Sequence, residues 1–287
     1  MSTTKAIWPV AAMLAMPVAG AQTAQVISAA SGAATVSAGS IVSIYGNNFA
    51  NTADSATTIP LPLQLGGVSA QFVETNILNM PAFIEPMPLF YVSLTQINAQ
   101  IPADTIFLPC DMGSGSVFNT FIEVNTPTGM QSIPANTTAA PAPGLFTANE
   151  TGTGVAAAQF VTNLPDGTQT MTDVAECPGG VGTCVPVALN VTAGTSALVL
   201  WGTGISEYAN FPTGLTVMAG SHPLEVFYAG ASPQFVGLDQ INVWLPASLA
   251  GSGVLCLRVA LSGDTSQLGP DCSFQGVTSN TVTIDIQ

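Results

Sequence analysis

Few residues in this chain are equipped for chemistry. A Ser-His-Asp triad needs a histidine, and the only one, His222, precedes a proline in the turn-like segment GSHPL. No serine is framed by G-x-S-x-G, so nothing marks a nucleophile. A standard zinc site needs clustered Cys and His; one histidine and five scattered cysteines without a C-x-x-C spacing do not supply it. Asp166, Asp173 and Glu176 fall close together, but not in the D-x-D-x-D-G register of a calcium loop. A glycosidase needs two carboxyl groups facing each other across a cleft, and the sequence singles out no such pair among its sixteen carboxylates. No catalytic, cofactor-binding or metal-ligating residue is assigned, and the chain is read as a non-enzyme.

What remains is suited to binding. Tyr91 to Pro102 reads YVSLTQINAQIP, and 144 positions later Phe235 to Pro246 reads FVGLDQINVWLP. The amides Gln96, Asn98, Gln240 and Asn242 can hydrogen-bond a sugar or a peptide. Their presence in both copies instead points to a shared demand of the fold, with the amides on the outer face of a strand serving a neighbouring loop. Trp244 has no aromatic counterpart, because Gln100 stands at its place in the first copy. Beside Asn242 it is the candidate contact for a partner or ligand, or for packing between domains. Trp201, at the end of an apolar run, is expected in a core, and Tyr228 is a further exposed-aromatic candidate.

The elements that carry these residues are strands. Helical periodicity is nearly absent, and short β-rich runs are punctuated by Gly, Pro, Asn and Asp. In the run 240–245, Ile241, Val243 and Leu245 alternate with Gln240, Asn242 and Trp244; Val282, Ile284 and Ile286 alternate in the same way at the end of the chain. The continuous apolar runs 41–45 and 197–201 predict strands covered on both faces. Each is introduced by a similar tripeptide, Ala38-Gly39-Ser40 or Ala193-Gly194-Thr195. Self-similarity at about 150 residues predicts two copies of one domain. The expected class is all-β, with two tandem immunoglobulin-like β-sandwich domains over 22–146 and 147–287. The Pro-rich TTAAPAP stretch forms a connector, and 163–185 a long loop excursion of the second domain.

Residues 1–21 have the form of a signal peptide. Lys5 is a positive start, Ile7 to Val18 an apolar stretch, and Ala19-Gly20-Ala21 a small-residue cleavage site. Its removal leaves Arg258 as the sole Lys/Arg against sixteen carboxylates. That balance argues against nucleic-acid or anionic-lipid partners, which need cations to meet their phosphates. No apolar run reaches the ~20 residues of a spanning helix, so no membrane span is expected after cleavage. With few ion pairs to lose, stability is expected to hold or rise as pH falls from about 7 toward 4. Cysteines in an exported chain suggest disulfides: Cys177 with Cys184 around PGGVGT, and Cys256 with Cys272 around a polar excursion, worth about 3 kcal/mol on the chain-entropy account. Cys110 is left over, as a buried thiol or an intermolecular link.

The runs Ser28–Ser31, Ser37–Ala50, Leu65–Ser69, Leu89–Asn98, Ala142–Phe146, Phe235–Pro246 and Ser279–Ile284 together resemble a family of secreted, mainly acidobacterial proteins with a duplicated immunoglobulin-like module. The modules are similar to the IPT/TIG-like domains of cell-surface proteins. The cysteines and the insert around Cys177 depart from the family pattern. The resemblance implies fold and location and carries no catalytic residue. The expected role is adhesion, scaffolding or surface assembly through contacts with other extracellular proteins or copies of itself; the alternative is a carbohydrate-binding module that meets polysaccharide through an exposed aromatic.

Overall fold

The computed structural model describes residues 24–75, 80–103, 119–138, 140–164, 166–191, 195–206, 214–261 and 277–287. The expected signal peptide, Cys110 and Cys272 lie outside them. The fold is all-β: among the described residues strands supply the regular structure, with single 3-10 turns such as Ala247–Leu249 beside them. No helix among the described residues is long and apolar enough to cross a membrane.

The strands gather into two sets with matching topology. In the first half, one sheet runs Gln25–Ser28, Ile41–Tyr45, Gln96–Gln100, Leu89–Val92, Asp54–Ser55. The second runs Gly129–Pro134, Asn119–Thr126, Ser69–Thr75, Pro81–Pro86. In the second half, Gln169–Asp173, Ala158–Asn163, Thr195–Thr203, Asp239–Leu245 and Val226–Ala231 form one sheet. Gly154–Val155, Val282–Ile286, Gly253–Leu261, Leu215–Ala219 and His222–Leu224 form its partner. Each pair of sheets encloses its own sandwich-like core. Ile44, Ile97 and Leu89 meet Phe72, Ile122 and Val124 in the first half, and Leu200, Ile241 and Val243 meet Val217, Val259 and Ile284 in the second.

The alternation read from sequence has a direct physical cause: successive side chains on a pleated strand leave on opposite faces. Ile241, Val243 and Leu245 are buried while Gln240, Asn242 and Trp244 are half-buried on the other face. Val282, Ile284 and Ile286 are fully inside. The run Ile41–Tyr45 is buried at every residue because its outer face is also covered, by the other half of the chain.

The repeat has a structural register. Asn98 pairs with Ser43 and Gln96 with Tyr45; Asn242 pairs with Val199 and Gln240 with Trp201. The Gln-Ile-Asn stretches thus occupy equivalent central strands. The strand preceding each carries a bulge at a Phe-Tyr dipeptide: the register shifts between Leu89 and Tyr91 and again between Val226 and Tyr228. The constant offset of 144 positions, which would match Val92 with Val236, therefore fails upstream of the turn. Val92 lies in a strand, whereas Val236 sits exposed in the longer connection between Val226–Ala231 and Asp239–Leu245.

The segment 163–185 is more ordered than a loop excursion. Gln169–Asp173 adds an edge strand to Ala158–Asn163, and Ala175–Glu176 pairs with Val185–Pro186. That small ladder brings Cys177 and Cys184 to a Cα separation of 4.0 Å, where they form a disulfide. Cys256 is a free, exposed thiol, and its expected partner Cys272 is among the residues not described.

Candidate functional site

The outer faces of the two Gln-Ile-Asn sheets carry the features that could act on another molecule. The first is the junction between the halves. Ile41, Phe90 and Ala30 of the first half pack with Ala157, Trp201 and Leu238 of the second in a third apolar cluster, which also takes in Phe146 at the boundary between them. Trp201 meets Phe235 edge-on, with ring centroids 5.3 Å apart. Trp201 is thus buried as expected, but between the halves. The Ile41 N–H donates to Thr203 Oγ1 at 2.7 Å across the junction.

Gly237 shows how close the approach is. It has φ +79°, and a Cβ there would lie 2.7 Å from Phe90 Cζ. Its counterpart in the first copy, Ser93, instead braces a turn, its Oγ accepting from the Gln96 N–H at 3.0 Å. In the second half Ser232 takes over that bracing, accepting from the Phe235 N–H at 3.2 Å. Position 237 is then free to be the glycine that contact requires.

Beside the junction lies a cleft of about 280 Å³, where Ser43, Tyr45 and Gln96 face Glu150, Thr151 and Gly152. Glu150 has φ 61°, a left-handed conformation rare for a side-chain-bearing residue. Burial pushes its carboxyl up to about 7. Burial also raises the Tyr45 phenol, the Ser43 hydrogen bond partly offsets that, and the charge of Glu150 adds to the rise. Among its described lining, the cleft holds no second carboxylate, histidine or cysteine to complete an acid–base or nucleophilic pair. It can hold a small polar group. Neither Glu150 nor Tyr45 stood out in the sequence, since only the packing of the halves brings them together.

The amide pairs adopt one geometry twice. Gln96 Nε2 donates to Asn98 Oδ1 at 2.9 Å, and Gln240 Nε2 donates to Asn242 Oδ1 at 3.0 Å. Each pair leaves one face of its strand and locks the two amides together. In the second copy the neighbouring loop does contribute, through the Ser232 hydroxyl donating to Gln240 Oε1 at 3.4 Å. Asp239, the first residue of that strand, is buried and accepts from the Ile205 N–H at 2.7 Å and the Ser206 N–H at 3.2 Å.

Trp244 lies away from the junction cluster. It stacks on Phe227, centroids 4.3 Å apart at 24°. Phe227 is 45 % exposed and Tyr228 beside it is also exposed, so the outermost ring of this face is Phe227. The second occurrence of Phe-Tyr, at 227–228 after 90–91, was the available sequence signal for it. His222 is exposed on the short strand His222–Leu224. Asp166 lies in a turn, its carboxyl held below the usual range by hydrogen bonds from the Thr168 hydroxyl and N–H. Among the described residues, no three His, Cys, Asp or Glu side chains converge as metal ligands.

Comparison of the chain with protein-family models and with curated proteins finds no match.

Proposed function

We propose that this is an exported, non-enzymatic pair of immunoglobulin-like modules that serves adhesion, scaffolding or surface assembly through protein–protein contacts. One observation carries the reading. The bulge phenylalanine of the first half, Phe90, is covered by the second half, whereas its equivalent in the second half, Phe227, remains open beside Trp244. A face built to be covered once, and left uncovered at its second occurrence, is what an interaction module presents. The disulfide Cys177–Cys184 supports an oxidising location. The likeness of the Gln-Ile-Asn motifs to those of secreted tandem modules points the same way.

The test is a binding assay on beads coated with the purified protein. Wild-type beads are expected to cluster or to bind the envelope fraction of the producing cell, and Phe227→Asp beads to do neither. Wild-type beads that bind nothing oppose the reading. Carbohydrate binding is the second reading, favoured by the exposed Phe227 ring and the neighbouring Asn242. It predicts a saturable change in Trp244 fluorescence on titration with soluble polysaccharide, lost in Phe227→Ser.

A further inference from the structure

Glu150 is held at the junction in a conformation that its side chain does not favour. Its φ of 61° lies where glycine sits freely and an L-residue is strained. The turn around it is fastened from several sides. The Glu150 N–H donates to the Thr147 carbonyl at 3.0 Å, and the Gly152 N–H donates to Thr147 Oγ1 at 3.1 Å. Asn280 Nδ2 donates to the Gly152 carbonyl at 2.8 Å, and a Cβ at Gly152 would run into the Ser31 backbone of the first half. Strain kept in place by its surroundings gathers at sites that bind or react. Here it holds one carboxyl group in a cleft of about 280 Å³.

The lining sets the terms for a guest. Ile27 and Ala29 supply an apolar wall, Tyr45 an aromatic ring and Ser43 a hydroxyl. Burial strips water from the Glu150 carboxylate, and the described lining brings no positive charge to offset it. The chain has few to bring: Lys5 and Arg258 are its only basic Lys/Arg residues, and Arg258 lies on the strand Gly253–Leu261. A neutral guest would leave the ionised carboxylate uncompensated. A metal ion needs several ligands, and among the described residues no three His, Cys, Asp or Glu side chains converge. An organic ammonium ion satisfies both parts of the lining, its charge meeting the carboxylate and its carbon stem the apolar wall. The field of a chain with formal net charge −14 also draws cations toward it.

We propose that the cleft between the halves binds a small primary ammonium ion, with Glu150 receiving the charged group and Ile27, Ala29 and Tyr45 holding its stem. The volume falls just below the range of about 300–1,000 Å³ that takes drug-sized ligands, so the stem is short. Binding requires the ionised carboxylate, so affinity rises with pH through about 7 and levels off above it. Tyr45 is the other titratable group of the described lining; burial raises its phenol further above the usual value, so it stays neutral over that range.

Isothermal titration calorimetry of the purified protein with n-butylammonium chloride at low salt tests this, with n-butanol as the uncharged counterpart. Wild type should bind the amine saturably at about pH 8, at least about tenfold more weakly at about pH 5.5, and should not bind the alcohol. Near pH 7 binding should release a fraction of a proton, read as a heat that changes with the ionisation enthalpy of the buffer. Glu150→Gln should bind at least about tenfold more weakly and lose that buffer dependence. It keeps the shape of the side chain and should melt no lower than wild type. Glu150→Gly, relieved of the left-handed strain, is a second folded variant that should likewise fail to bind. Asp166→Asn, which removes an exposed carboxylate outside the cleft, should leave binding unchanged. Nα-acetyl-lysine methylamide separates two sources of the same group: equal binding assigns the site to a lysine side chain, and binding of butylammonium alone assigns it to a free amine. No saturable binding by wild type, equal binding of the alcohol, binding unchanged in Glu150→Gln, or an equal loss in Asp166→Asn overturns the proposal.

Discussion

Replacing Gly237 by alanine tests the packing of the two halves at one atom. The φ of +79° at this position costs an L-residue about 1–2 kcal/mol wherever it occurs. The added Cβ would also stand 2.7 Å from Phe90 Cζ and 3.2 Å from Gln100 Oε1. The amide end of Gln100 can swing aside. The Phe90 ring is buried in the junction cluster and cannot move without opening it. Overpacking of this kind adds about 1–3 kcal/mol, for a total of about 2–5 kcal/mol. Urea unfolding followed by tryptophan fluorescence measures the cost in wild type and again in a Phe90→Ala background. With the ring removed, only the backbone share should remain, so the double-mutant cycle should return a coupling of about 1–3 kcal/mol. An equal cost of Gly237→Ala in both backgrounds would refute the close approach of the halves.

Glu150 sets a pH dependence. Its carboxyl takes up a proton near 7 when folded and at about 4.5 when unfolded, so its contribution is greatest below the unfolded value and is lost as pH rises through about 7. A shift of that size in a dry site is worth about 3 kcal/mol; solvent screening at a half-exposed group reduces it to about 1–2 kcal/mol. The wild-type melting temperature should rise from pH 8 to pH 5, while Glu150→Gln should be more stable than wild type at pH 8 and show a flatter profile. Identical pH slopes for the two proteins would count against burial of that carboxyl. Asp239→Ala removes the acceptor of two backbone N–H groups, one on buried Ile205, and should cost about 2–4 kcal/mol in denaturant unfolding. Cys177→Ser with Cys184→Ser opens a loop of sequence separation 7 and should lower stability by no more than about 2–3 kcal/mol, read from the same unfolding curves.

Much of the architecture was legible because its signals are local. A pleated strand alternates its side chains whatever surrounds it, so Val282, Ile284 and Ile286 announced a buried face, and Ile41–Tyr45 announced a strand covered on both sides. The recurrence of Gln-Ile-Asn located equivalent strands, because one fold places one demand on the same position twice. Where the signal depended on chain length between elements, it failed. The longer connection before Asp239 moved Val236 out of the strand that holds Val92, and the Phe-Tyr bulge became the true equivalence.

Tertiary structure alone decided which copies of these residues are covered. Phe90 and Phe227 sit at the same bulge in equivalent strands, yet Phe90 is buried and Phe227 is open. Nothing within a strand or turn distinguishes them; the difference arises only when the second half packs on the first in one direction. The same act places Glu150 against Tyr45 and shifts its proton affinity, an effect set by surroundings contributed from more than 100 residues away in the chain. Burial is a property of the assembled surfaces, which is why the sequence located the faces while the fold determined which of them remain open.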